Sequence, residues 1–217
     1  MRDQYQQQLD SILNEIVEMT GGVRAALSQA TDALLNADLS AAELVISGDL
    51  AIDEARERIE HDSFEVLARQ APVAGDLRML VASLRMVADL ERMGDLSVHI
   101  AKVARLRYPT KAVPDILVPV IADMAKAADE MISAAADIVA SRDVDGARAL
   151  EAADDEMDQL RRSMFRTLLS DNWSEGVEPA VDMALLGRYY ERIGDHAVSM
   201  ARRIVFLVTG QHPAAVV

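Results

Sequence analysis

An all-α fold of two tandem antiparallel three-helix bundles follows from three observations on the sequence. A five-residue word occurs twice, 100 positions apart, as Glu91-Arg92-Met93-Gly94-Asp95 and Glu191-Arg192-Ile193-Gly194-Asp195. Apolar residues recur in steps of three and four over long stretches, the period of a helix face. Aromatics are only 4% of a 217-residue chain that is 51% hydrophobic, so Ala, Leu, Val, Ile and Met must fill the core, which suits closely packed helices better than a sheet.

The word sits in a longer repeat. Val81, Val98 and Ala101 recur as Val181, Val198 and Ala201 at the same offset. Upstream the offset becomes 105, pairing Asp38 with Asp143, Ala42 with Ala147, Asp49 with Asp154, Asp53 with Asp158 and Arg56 with Arg161. A five-residue indel separates the two matched blocks. The chain therefore reads as two versions of one unit of about 100 residues, 1–109 and 110–217.

From Leu9, the residues Ile12, Ile16, Met19, Val23, Ala26, Ala30 and Ala33 mark the seam of a long first helix. Gly21-Gly22 keeps that register, so a kink or a close helix contact is expected there rather than a break. Asp38 and Ser40 can cap a second helix to about Gln70, and Pro72 separates it from a third ending near Tyr108-Pro109. The segment 108–119 holds three prolines and connects the units. Pro114 then opens a fourth helix to about Ser141, Asp143 caps the fifth, and the sixth starts between Ser174 and Pro179 and fades by Gly210. Short connections keep neighbouring helices antiparallel. Trp173 is read as the plug of a bundle end, and Met79, Met86, Met93, Met183 and Met200 as core filling rather than a contact stripe.

The formal charge of −14 argues against an electrostatic grip on nucleic acid or anionic lipid and favours a cation or a basic protein patch. Without cysteine, disulfides, thiolate zinc sites and thiol catalysis are excluded. The polar start Met1-Arg2-Asp3-Gln4 lacks the apolar run of a secretory signal, and no stretch approaches the roughly 20 apolar residues of a bilayer span. A soluble, cytoplasmic protein is expected.

Acids four apart project from one helix face, so Asp49 with Asp53, Glu91 with Asp95, Asp154 with Asp158 and Glu191 with Asp195 each form a two-carboxylate claw. Glu91 lies on a seam running Leu77, Leu80, Leu84, Val87, Glu91, Gly94, Val98, Ala101. Glu191 repeats it along Val177, Ala180, Ala184, Gly187, Glu191, Gly194, Val198, Ala201, so both glutamates should be half buried. A mid-helix glycine costs about 1 kcal/mol relative to alanine. Gly94 and Gly194 are therefore expected where another helix or an ion comes close. Like charges so placed need neutralising, either by a cation or by Arg92, Arg192, Arg56 and Arg161. Oxygen-only ligands suit hard cations, or iron and manganese bridged by carboxylates.

Catalysis is not indicated. The Glu-x-x-His signature of di-iron bundles is absent, as are a phosphate loop and a nucleophile elbow. His99 is read as a surface residue one turn beyond Asp95, while His61, His196 and His212 receive no role.

These residues resemble a known family. Asp76-Leu77-Arg78, Asp89-Leu90-Glu91-Arg92-Met93-Gly94-Asp95 and Arg188-Tyr189-Tyr190-Glu191-Arg192-Ile193-Gly194-Asp195-His196-Ala197, on the third helices of a duplicated unit, strongly resemble the PhoU family over nearly the full length. Leu96 departs from the His found at the same point of the second copy. The resemblance implies a cytoplasmic negative regulator of the phosphate-starvation response. Such a protein is an adaptor, not an enzyme, coupling the ATPase subunit of a phosphate ABC importer to a sensor histidine kinase, with contact to the membrane through partners only and a homodimer as one expected assembly. It also implies that Asp49, Asp53, Glu91, Asp95, Asp154, Asp158, Glu191 and Asp195 are metal ligands, for iron, manganese, magnesium or zinc. Two readings compete with it: a metal-dependent oxidase or hydrolase built on the carboxylate clusters, and a helical scaffold whose acids are all ion-paired.

Overall fold

The structure is a computed structural model that describes residues 2–211, with side chains from Tyr5 onward. Six helices account for it: α1 Arg2–Asn36, α2 Leu39–Gln70, α3 Gly75–Arg107, α4 Val118–Ser141, α5 Val144–Leu168 and α6 Val177–Thr209, with one 3₁₀ turn at Asp115–Leu117. His212 lies outside the described residues. Among the described residues there is no strand, and no helix is long and apolar enough to cross a membrane.

The helix boundaries follow from local chemistry. Asp38 and Asp143 cap α2 and α5 by accepting the backbone N–H of Ala41 and Asp145, each at 3.0 Å. Gly210, at φ 72°, ends α6 in the left-handed region that glycine enters without strain. Pro114 opens only the 3₁₀ turn, and α4 proper starts at Val118 with Pro119 in its first turn, where a missing N–H costs nothing. Trp173 is partly buried against the core and donates its indole N–H to the Gly176 carbonyl at 2.8 Å.

The helix α1 packs against α2, α3 and α4, whereas α6 packs against α3, α4 and α5. The four helices α1, α3, α4 and α6 therefore form the centre, and α2 and α5 flank it, one in each unit. Burial of α1 is broader than its predicted seam. Besides Leu9, Ile12, Ile16, Met19, Val23, Ala30 and Ala33, the second row Leu13, Leu27 and Leu34 is buried, because three helices surround α1 rather than two. The helix runs unbroken through Gly21-Gly22, and open space lies where either Cβ would stand. A close contact is not what places glycine there. The methionines Met79, Met86, Met93, Met183 and Met200 are core. Leu77 and Val177, predicted on the seams, are exposed because each lies in the first turn of its helix.

Polar groups join the two units. Arg24 of α1 forks onto Asp129 of α4 at 2.7 and 2.8 Å, and the buried Thr31 and Tyr190 hydroxyls meet at 2.9 Å. Between α3 and α6 the contacts run antiparallel. Asp89, whose side chain is 11% exposed, accepts from Ser199 at 3.1 Å and Arg203 Nε at 3.0 Å and lies 3.0 Å from His196 Nδ1. At the other end Arg107 grips the buried Asp182 at 2.6 and 3.1 Å and pairs with Glu178. His196 thus has a structural role that its position beside Asp195 did not suggest.

Removing one partner of a buried charge network leaves the others uncompensated. Asp89→Ala lowers stability by about 3 kcal/mol, with Arg203 and His196 left without their acceptor, whereas cap removal in Asp143→Ala lowers it by about 1 kcal/mol. Urea denaturation followed by circular dichroism measures both. Equal losses would show that the α3–α6 network carries no special weight.

Candidate carboxylate claws

The four acids of each unit come from two neighbouring helices. In the first, α2 brings Asp49 and Asp53 against Glu91 and Asp95 of α3; in the second, α5 brings Asp154 and Asp158 against Glu191 and Asp195 of α6. The glycine of the repeated word sets the spacing. A Cβ on Gly94 would stand 3.0 Å from Ile52 Cδ1 and 3.6 Å from Asp49 Oδ1, and one on Gly194 would stand 3.2 Å from Met131 Sδ and 3.6 Å from Asp154 Oδ1. The close approach read from the two glycines is present at both.

Burial follows the predicted seam. The Glu91 side chain is 25% exposed and that of Glu191 12%. Loss of water, above all, holds the Asp49, Glu91 and Asp154 carboxyls above the ordinary carboxylate range. Facing acids add to it: Asp95 and Asp53 at Asp49, Asp95 at Glu91, and Asp195 and Asp158 at Asp154. Lys102 and His99 oppose the shift at Asp49, Arg92 and Arg56 at Glu91, and Arg202 at Asp154.

Arginines meet most of the remaining charge. Arg92 reaches Asp95 at 3.0 Å and Glu91 at 3.6 Å, and Arg192 reaches Asp195 at 3.1 Å. Arg161 donates to Glu191 at 3.2 Å, with Arg188 on the other oxygen, and Arg162 reaches Asp158 at 2.9 Å. Arg56 comes no nearer Asp53 than 4.0 Å. Asp49 and Asp154 have neither an ion pair nor a hydrogen bond among the described side chains. No group of three or more His, Asp or Glu among the described residues is set to hold an ion jointly. The arrangement therefore offers hard oxygen donors, two of them free, beside the two glycines.

Sequence reasoning missed Arg162, Arg188, Lys102 and Arg202. The signal was available in the comparison of the copies, since Arg162 stands where the first unit has Glu57, and Arg188 where it has Ala88. His99, exposed, stacks on Tyr189 with ring centroids 5.4 Å apart.

Because the folded chain holds the Asp49, Glu91 and Asp154 protons more tightly than the unfolded chain, their ionisation destabilises the fold. Their contribution is full below the ordinary carboxylate pKa of about 4 and is lost as pH rises through the raised values. In metal-free buffer, Asp49→Asn or Asp154→Asn raises stability at pH 7 by at least a few tenths of a kcal/mol, the scale of one like-charge pair four apart. That gain vanishes below about pH 4. Denaturation at the two pH values checks it; a loss at pH 7 would mean that the carboxylates stabilise the fold.

A family model described as the PhoU domain matches residues 16–104 and again 121–204. The chain is 45% identical over 213 residues to the phosphate-specific transport system accessory protein PhoU homolog 2 of Mycobacterium tuberculosis, covering 98% of this chain and 100% of that one. It is 44% identical over 213 residues to PhoU homolog 1 of Mycobacterium leprae, covering 98% and 96%. Among solved structures, PhoU from Pseudomonas aeruginosa superposes with a TM-score of 0.84 at 26% identity over 95% of this chain and 100% of that one. The phosphate transport system regulatory protein PhoU from Streptococcus pneumoniae shares the fold with a TM-score of 0.87 at 24% identity, over 96% and 99%. Matched twice by the domain and along its length by these relatives, the chain belongs to the PhoU family.

Proposed function

We propose that this protein is an accessory regulator of phosphate-specific transport, an adaptor that couples the ATPase subunit of the importer to a sensor histidine kinase and keeps the starvation response off when phosphate is plentiful. The observation that carries this reading is the match to phosphate-specific transport system accessory proteins at 45% and 44% identity along almost the whole of each chain. Their names are those of accessory proteins, which supports a regulatory role over a catalytic one. An adaptor of this kind works in the cytoplasm and meets the membrane through its partners.

The claws give the adaptor a cation-responsive element. Asp49, Asp53, Glu91 and Asp95 in the first unit, with Asp154, Asp158, Glu191 and Asp195 in the second, are the residues that would hold iron, manganese, magnesium or zinc. Support comes from oxygen donors facing one another across helix pairs, from the unpaired Asp49 and Asp154, and from the cradle at Gly94 and Gly194. A bound cation supplies the positive charge that desolvated acids lack. The scaffold reading has its own support in the arginine pairs of the second unit.

Deletion of the gene derepresses phosphate-regulated transcription at high phosphate, and reporter activity measured in replete medium decides it; repression that persists in a strain without a second copy removes the regulatory reading. For the claws, protein purified without chelator carries metal by elemental analysis. Chelation lowers its Tm, as expected for any ligand that binds only the folded state, and Asp49→Asn abolishes that drop.

A further inference from the structure

We propose that the groove between α1 and α2 docks a basic amphipathic helix of a partner protein. The contact suits an adaptor of the kind proposed above but holds whatever that adaptor regulates. Two things point to it: a groove lined by small residues in one unit and larger ones in the other, and the charge around it.

Two glycines in the middle of α1 have no explanation inside the fold. Each weakens a helix relative to alanine, yet α1 runs unbroken from Arg2 to Asn36, and a Cβ at Gly21 or Gly22 would meet nothing within 4 Å. Gly22 lies in the wall of an open groove of about 420 Å³, with buried Met19, Ile52 and Ile59 along it and Ala51 and Ala55 on the α2 side. From Glu15 to Gly22 the groove follows α1 for about two turns. That length takes the apolar side chains of a docked helix at i and i+4.

The second unit carries larger residues at the same places. The repeat extends through α1 and α4 at the offset of 105, since buried Ile12, Ile16, Met19 and Leu27 answer buried Leu117, Ile121, Met124 and Ile132. Gly22 then matches Ala127, which is buried, and Ala55 matches Leu160, which packs against the core. Glycine and alanine therefore keep open in the first unit a place that the second unit gives to bulkier side chains.

Charge around the groove selects the partner. Glu15 and Glu18 line it from α1, and Glu54, Glu57 and Asp62 lie beside it on α2, with His61 and with Arg58 as the arginine they share. Among the described side chains, Glu18, Glu54, Asp62 and Arg58 make no ion pair or hydrogen bond. Glu15 accepts from Ser11 at 3.2 Å, and Glu57 pairs with Arg56 at 3.7 Å. The equivalents of the five acids in the second unit are Val120, Asp123, Gln159, Arg162 and Thr167, with Ser163 for Arg58, so its balance is neutral. Arg56 and Arg161 are common to both units. An excess of acid beside an open groove complements a helix flanked by Lys or Arg and repels an acidic one.

The test titrates the full chain into a labelled amphipathic peptide helix of about five turns, built from Leu, Ala and Lys, and follows fluorescence anisotropy. The chain binds this peptide and does not bind the same peptide with Glu in place of Lys. Gly22→Ala/Ala55→Leu, which gives the groove the residues of the second unit, lowers affinity by about tenfold or more. Its Tm does not fall, because alanine favours the helix over glycine by a shift of about 2–4 °C in a chain of this size. Glu18→Lys/Glu54→Lys lowers affinity with the groove still open, and decides the matter if the filled variant folds poorly. Asp123→Lys/Glu156→Lys on α4 and α5, an equal change in total charge, leaves affinity within about twofold. The proposal is overturned if the unsubstituted chain does not bind or if the filled groove binds as tightly. It is equally overturned if Asp123→Lys/Glu156→Lys loses as much affinity as Glu18→Lys/Glu54→Lys, which is attraction to the net charge of the chain alone. Repression that persists after gene deletion removes the regulatory reading and leaves these outcomes as they are.

Discussion

A side chain larger than hydrogen at residue 94 or 194 would press on Ile52 or on Met131 and stand within 3.6 Å of an aspartate oxygen. That steric limit governs the carboxylates. It lets α2 lie against α3, and the second unit's Gly194 lie beside Asp154, closely enough that acids on facing helices lose water and feel one another. Desolvated like charges raise the free energy of the folded state unless something positive answers them. The arginines around each claw and the proposed cation are two answers to one constraint.

The duplication supplies a frame within which residues have been exchanged. Tyr189 holds the place of Asp89, and Ser199 that of His99. Across the antiparallel pair α3 and α6, Asp89 meets Ser199 at 3.1 Å and His99 stacks on Tyr189 at 5.4 Å, so equivalent contacts are polar on one side and aromatic on the other. Each unit thus keeps the other's geometry and changes its chemistry. The same logic separates the claws, where the four acids stay fixed and the surrounding charges vary.

Helix count, caps and the sharing of a helix face by acids four apart were legible because each depends on residues close in sequence. Asp38 and Asp143 cap helices that begin one residue later, and an acid four positions from another shares its face by geometry alone. The second buried row of α1 was not legible, since the burial of Leu13, Leu27 and Leu34 depends on how many helices surround α1, which packs on α2, α3 and α4. The Asp89 network was hidden for the same reason: its partners lie more than 100 residues away and on the other unit. The exposure of Leu77 and Val177 reflects a third limit, because periodicity predicts a face but not whether a partner helix extends along the first turn.

The position of the claws determines what a change in them can move. The central helices α1, α3, α4 and α6 are tied by fully buried residues such as Ile16, Val87, Ile132 and Tyr190, by the Asp89 network and by the Arg24–Asp129 fork, none of which includes a claw acid. The flanking helix α2, in contrast, packs chiefly on α1 and α3 among the described residues, and its face toward α3 carries Asp49 and Asp53. Neutralising the first claw therefore changes the free energy of docking α2 while leaving the centre untouched. In the second unit an ion pair spans the corresponding helices, since Arg161 of α5 reaches Glu191 of α6 at 3.2 Å, while Asp154 stays unpaired beside it.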